Sequence, residues 1–309
     1  MSRAAVSKPP TPAAHLKKWQ RINLDPAAEI PSLERYAHGG KFDYEIPGVP
    51  EKFPYGASEA AFALNRIALE LMRKAQSAAL AGVAEWLSDW NKAVTYRSLG
   101  FALDYAWHQQ ASREVSAGAR RQPLKMLSLR DAGFLVGAQL SLGHLDAAAN
   151  TAANCRAALS ANYFLDGDSF MPRRAQFCVL QLVTGWRGAS GNWPPMALDE
   201  PVYARLRETW RSPDASAVAA PLLAACDRHV EQARPSDDSN YYDCDSFEAA
   251  WFPFEIHAVL RLRETSGLVN PALEHPLLAT ALGPLPGRQA PVQDAILAGA
   301  AKAAGIPVP

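Results

Sequence analysis

Cysteine is scarce in this chain and never paired in sequence. Cys155, Cys178, Cys226 and Cys244 are scattered without a CxxC spacing, which argues against a disulfide-dependent fold and fits a reducing cytoplasm. Long apolar runs are also missing: Ala78–Val83, for example, is far too short against the roughly 20 residues that a membrane-spanning helix needs. Neither sign of charge is in excess, because 31 basic residues offset 31 acidic ones. General nucleic-acid binders usually carry a basic excess, so direct nucleic-acid binding is not expected. There is no GxSxG elbow, and Gly137, Gly143 and Gly185 stand alone instead of forming a phosphate loop. Strand signals are few, since Pro47 and Gly48 interrupt the alternation of Lys41–Val49. The first twelve residues hold no apolar stretch of signal-peptide length. Their Ala, Ser and Pro content reads as a disordered tail over 1–14.

Helical periodicity is abundant. Phe62, Ile67, Leu71, Leu80, Val83 and Leu87 recur at helical intervals through an Ala-rich stretch, predicting a helix from Ser58, its N-cap, to about Trp90. Further helices are expected over 91–115, 123–142, 144–161, 172–186, 201–210 and 214–232. Another should begin at Asp245 or Ser246 and run to Glu264, and a last one spans 287–305. The residues between Gly188 and Pro195 are a loop by composition. The expected fold is all-α, with antiparallel helical hairpins packed as a bundle or short solenoid over 15–309, a possible subdivision near 190–200, and an irregular N-terminal arm to about Tyr55. The Leu142–Ala148 stretch resembles a tetratricopeptide turn, but no 34-residue period surrounds it.

One segment is unlike the rest. Pro235–Leu260 holds Asp237, Asp238, Asp243, Asp245, Glu248 and Glu255 with no Lys or Arg, interleaved with Tyr241, Tyr242, Phe247, Trp251, Phe252 and Phe254. Its formal charge of −6 leaves the remainder of the chain at +6. Acids and rings together suit a basic partner, the charges steering approach and the rings supplying burial. A plainer account covers part of it: Asp245-x-x-Glu248 fits a capping box, and acids favour a helix N-terminus. Pro253 should kink the helix that follows. The opposite charge gathers at Arg113, Arg120, Arg121, Lys125 and Arg130 against Glu114, a run that reads as a solvated face. Cys226-x-x-His229 has ligand spacing, and Cys244 and His257 would complete four zinc positions. Against that, Cys226 shares an apolar helix face with Leu222 and Leu223, so no metal or cofactor is called for. Asp166-Gly167-Asp168 lacks the oxygen ligands of a calcium loop and reads as a turn.

The run Tyr241-Tyr242-Asp243-Cys244-Asp245-Ser246-Phe247-Glu248-Ala249-Ala250, then a helix ending at Ser266-Gly267-Leu268 and Pro271-x-Leu273, resembles the C-terminal region of bacterial toxin immunity proteins of the PoNe-immunity type. General size and layout are similar to the TsiT type, linked to type VI secretion effectors. The likeness covers about forty residues, and Pro253 departs from the unbroken helix of the family. It implies a cytoplasmic, non-enzymatic antitoxin that blocks a cognate, basic, nuclease-like protein toxin. On that reading Asp237, Asp238, Tyr241, Tyr242, Asp243, Asp245 and Glu248 form the partner-binding surface. Two other readings stand beside it. One is a helical-repeat adaptor or chaperone; the other is an all-α magnesium-dependent diphosphate enzyme built on the Asp237-Asp238 pair.

Overall fold

A computed structural model describes residues 26–116, 127–168, 170–237 and 240–308 of the chain. Eleven α-helices and one two-stranded sheet make up the described residues, a predominantly helical, bundle-like fold. The helices are α1 (Ile30–Gly39), α2 (Ala57–Leu80), α3 (Trp86–Ser116), α4 (Leu129–Leu142), α5 (Leu145–Ser160) and α6 (Arg174–Trp186). They continue with α7 (Pro201–Thr209), α8 (Ser216–Gln232), α9 (Phe247–Ala250), α10 (Phe254–Thr265) and α11 (Ala295–Ala304). None is long and apolar enough to cross a membrane. The expected tail over 1–14 lies outside the described residues.

The N-terminal arm is more ordered than its sequence suggested. Leu33 and Tyr36 of α1 are buried, and Phe42–Glu45 (β1) pairs antiparallel with Lys52–Tyr55 (β2), Phe42 opposite Tyr55. Pro47 and Gly48 do not break a strand; they form the turn between two. The first long helix also differs. Its N-cap is Gly56, whose N–H donates to Glu59 Oε2 at 2.8 Å, so Glu59 rather than any partner of Ser58 closes the capping box. The predicted boundary near Trp90 moves back to the turn around Gly82, and α2 and α3 pack along their lengths as a hairpin.

Two apolar cores result. The smaller gathers Leu33, Tyr36, Tyr55, Leu64, Leu99, Leu103 and Leu297, so it joins α1 and the sheet to α2, α3 and α11. At Gly299 an added Cβ would lie 2.7 Å from Ala37 Cβ; only glycine lets α11 come this near α1. The larger core centres on Trp90, Phe134, Phe252 and Phe254, with the rings of Trp90 and Phe252 4.5 Å apart. Pro253 does more than kink its helix. Residues Trp251–Pro253 separate α9 from α10, and the break buries Phe252 and Phe254 completely. Across from Phe254, α4 presents Gly137, where a Cβ would stand 2.8 Å from Phe254 Cβ. A side chain there would force α4 and α10 apart, an overpacking cost of about 1–3 kcal/mol.

Candidate functional site

The acidic segment leaves α8 and first folds inward. Asp243 is 3% exposed and receives the Ala175 N–H at 3.0 Å, while its own N–H donates to Gln232 Oε1 at 3.0 Å. Ala175 lies in the first turn of α6, where backbone N–H groups have no helical acceptor, so Asp243 caps a helix from a distant loop. Asp166 does the same for α4, accepting from the Leu129 and Arg130 N–H groups. The sequence reading of Asp166 as a plain turn residue missed this role, which depends on a partner 37 residues away.

Asp245 and Glu248 enter a chain of alternating charge. Glu248 meets Arg97 at 3.1 Å, Arg97 reaches Asp131 at 3.4 Å, and Asp131 lies 3.2 Å from Arg130. Arg130 continues to Asp245 at 3.2 Å, and Arg173 joins Asp245 at 3.7 Å to Asp166 at 2.9 Å. Burial opposes the charge on Asp131, yet Arg97 and Arg130 together hold its carboxyl below the ordinary carboxylate value. Asp243, Asp245 and Glu248 therefore do not belong to the partner-binding surface that the sequence suggested. Their acidity serves helix caps and internal ion pairs. Arg130 is likewise an internal link and not part of a basic face; Arg120, Arg121 and Lys125 lie outside the described residues.

Arg173 is the pivot of this arrangement. Its backbone is left-handed, with φ +47° and ψ +47°, an uncommon conformation for a residue with a Cβ. Its side chain is buried, binding Asp166 on one loop and the Tyr242 carbonyl, 2.8 Å away, on another. Two loops are pinned by one guanidinium.

What those loops show to solvent is aromatic. Phe170 is 62% exposed, and its ring centroid lies 4.9 Å from that of half-buried Tyr241. Asp168 shapes the first loop by accepting from the Phe170 and Met171 N–H groups. Asp237 is exposed in the second, and its Oδ1 accepts the Asn240 N–H at 2.8 Å. Asp238 lies outside the described residues, and Tyr242 is half-buried. On the first loop, Leu165 is 56% exposed at the rim of a groove of about 450 Å³, lined also by Phe164, Asp168, Trp193 and Pro195. Sequence reasoning found Tyr241 and Asp237 but missed Phe170 and Leu165. The only hint was their position, two large apolar residues flanking the polar Asp166–Asp168 turn.

Inside the same segment sits a second ionisable cluster. His229 of α8, Cys244, and Glu255 of α10 are each fully buried, with ligand atoms all within 4.8 Å of one another. His229 Nδ1 is 2.8 Å from Glu255 Oε1 and 3.5 Å from Cys244 Sγ. Two of the four sequence candidates for zinc thus come together, and Glu255 stands where Cys226 or His257 was expected. His257 instead holds the Gly283 carbonyl with Nε2 at 2.8 Å. Burial keeps the His257 ring neutral, its pKa held down to about 4. Burial also pushes the Cys244 thiol well above its ordinary value.

Compared with known proteins, the chain matches no family model, no curated protein and no solved structure.

Proposed function

We propose that this chain is a binding protein whose partner docks on the Phe170–Tyr241 surface, and that it acts as an immunity-type inhibitor of a basic, nuclease-like toxin. One observation carries this reading: an exposed aromatic pair flanked by Asp168 and Asp237 on two loops fixed from below by a single buried arginine. Exposed apolar side chains grouped on one patch and rimmed by acids suit a docking site. Preorganised loops lower the ordering cost of association. Aromatic anchors of this type contribute about 2 kcal/mol or more to an interface, close to thirtyfold in Kd. The acids add a salt-sensitive attraction for a positive cleft.

A second reading has its own observation. A groove of about 530 Å³ between α3 and α5, lined by Phe101, Tyr105, Asn150 and Asn154, is bordered by Ile306–Val308. An apolar groove with amide-bearing walls suits an extended peptide, as an adaptor or chaperone requires.

Co-expression with the product of the neighbouring reading frame separates the two. An inhibitor restores growth and co-purifies with that product, and Phe170→Ala with Tyr241→Ala weakens the complex about thirtyfold or more while the fold persists. Full affinity in the folded double variant overturns the surface. Failure of the parent chain to protect against that product overturns the inhibitor reading.

A further inference from the structure

The His229–Cys244–Glu255 cluster has an unusual charge balance. Glu255 is 0% exposed, with Oε2 lacking a hydrogen-bond partner. Among the described residues its salt bridge is with His229 alone, and no Lys or Arg reaches it. A buried carboxylate normally has a full countercharge and satisfied oxygens. The Nε2 of His229 and the hydroxyl of Tyr203 are also buried and unpartnered. Burial, and after it the nearby Glu255, pushes that phenol well above its ordinary value.

We infer that His229, Cys244 and Glu255 form a buried three-ligand zinc site. The donor set of one imidazole, one thiolate and one carboxylate suits a borderline divalent cation. The geometry agrees in detail. With Zn–N near 2.0 Å and Zn–S near 2.3 Å, two tetrahedral ligands stand about 3.5 Å apart, and Nδ1 and Sγ are separated by 3.5 Å. Zinc enters between His229 Nδ1 and Glu255 Oε1 as the ring proton moves to Nε2, opening that pair by about 0.5 Å. The Cys244 thiol gives up its proton, so one proton leaves as a 2+ ion enters. Thiolate and carboxylate then cancel a 2+ charge, and the cluster becomes neutral in an apolar core. Three protein ligands leave one position for a water.

The ligands come from α8, the loop before α9, and α10, so the ion joins three separate elements. Cys244 lies between Asp243, which caps α6, and Asp245, which pairs with Arg130 and Arg173. A metal there holds the inner end of the segment that carries Tyr241. This inference stands whether or not the docking surface is correct, because its readouts need no partner.

The test uses the full chain, stripped with a chelator and dialysed. Adding ZnCl2 should give one bound zinc per chain and raise Tm by roughly 4 °C once free zinc exceeds its Kd about a hundredfold. CoCl2 should give a thiolate-to-cobalt charge-transfer band of one-thiolate intensity. Cys244→Ser should lose both the band and the zinc-dependent Tm rise, while Cys226→Ser keeps both. Were Cys244→Ser to misfold, the unaltered chain still decides the matter. A folded parent that takes up no zinc and shows no cobalt band overturns the site, as does a band that survives in Cys244→Ser.

Discussion

Two groups of ionisable side chains meet at Asp243–Asp245, and they are built on opposite terms. The outer group, from Glu248 through Arg97, Asp131, Arg130, Asp245 and Arg173 to Asp166, alternates sign at every step. Each carboxylate has a guanidinium beside it. The inner group places Glu255 and Cys244 around one imidazole, with orphaned atoms on His229, Glu255 and Tyr203. The outer group supplies fixed geometry: its charges are satisfied, and they hold loops in place. The inner group is short of positive charge, and that deficit makes it a receptor for a cation.

The hardest way to break this contrast is to remove the outer pivot. Arg173→Ala should cost about 3–5 kcal/mol, because it leaves Asp166 buried with its charge uncompensated; urea unfolding reads this directly. A smaller effect follows from Asp243, whose pKa burial pushes up to about 6, against the Ala175 N–H and the nearby arginines. A carboxyl with a raised folded pKa contributes stability below its ordinary 3.8 that is lost as pH rises through about 6. Asp243→Asn keeps an acceptor for Ala175 and should therefore gain on the parent by about 1–3 kcal/mol between pH 4 and 7. His144 and His257, both held down to about 4 by burial, lose stability in the other direction as pH falls below 6.5. For this reason the difference between variant and parent, measured by urea midpoints across that range, is the quantity that isolates Asp243.

Sharper still, though smaller, is Tyr203→Phe in the zinc-free chain. Deleting a buried hydroxyl without a partner should leave stability unchanged or raise it by up to about 1 kcal/mol, as a thermal scan would show. Phe170→Ala should change stability least, within about 0.5 kcal/mol, since the ring is mostly in solvent. A large loss of Tm there would mean that the ring supports the fold instead of facing a partner.

The long helices were legible because their apolar spacing is local information. Gly143 caps α4 at the expected end of the 123–142 helix, although α4 begins only at Leu129 with Ser128 as its N-cap, and Pro253 was placed correctly as a disruption. The arm was not legible: α1 buries little beyond Leu33 and Tyr36, and β1 and β2 are too short for periodicity to register. Within the site, the exposed acids and rings of the sequence could not be sorted into inside and outside. Asp243 and Asp245 look the same in sequence as Asp237, and only distant partners, the N-terminus of α6 and the arginines of α4 and Arg173, separate them. Glu255 was visible as one acid among six, with nothing local to set it beside His229.

Gly299 against Ala37 has a consequence in time as well as space. The small core needs Leu33 and Leu297 together, so α1, made early on the ribosome, waits for nearly all the described chain before its partner is synthesised. Contacts of such long sequence separation form late and slowly. Until α11 arrives, Leu33, Tyr36 and the neighbouring apolar faces of α2 and α3 are covered only by one another. The nascent chain therefore passes through a stage in which α1 is a sticky surface, and α11 is the clasp that closes it.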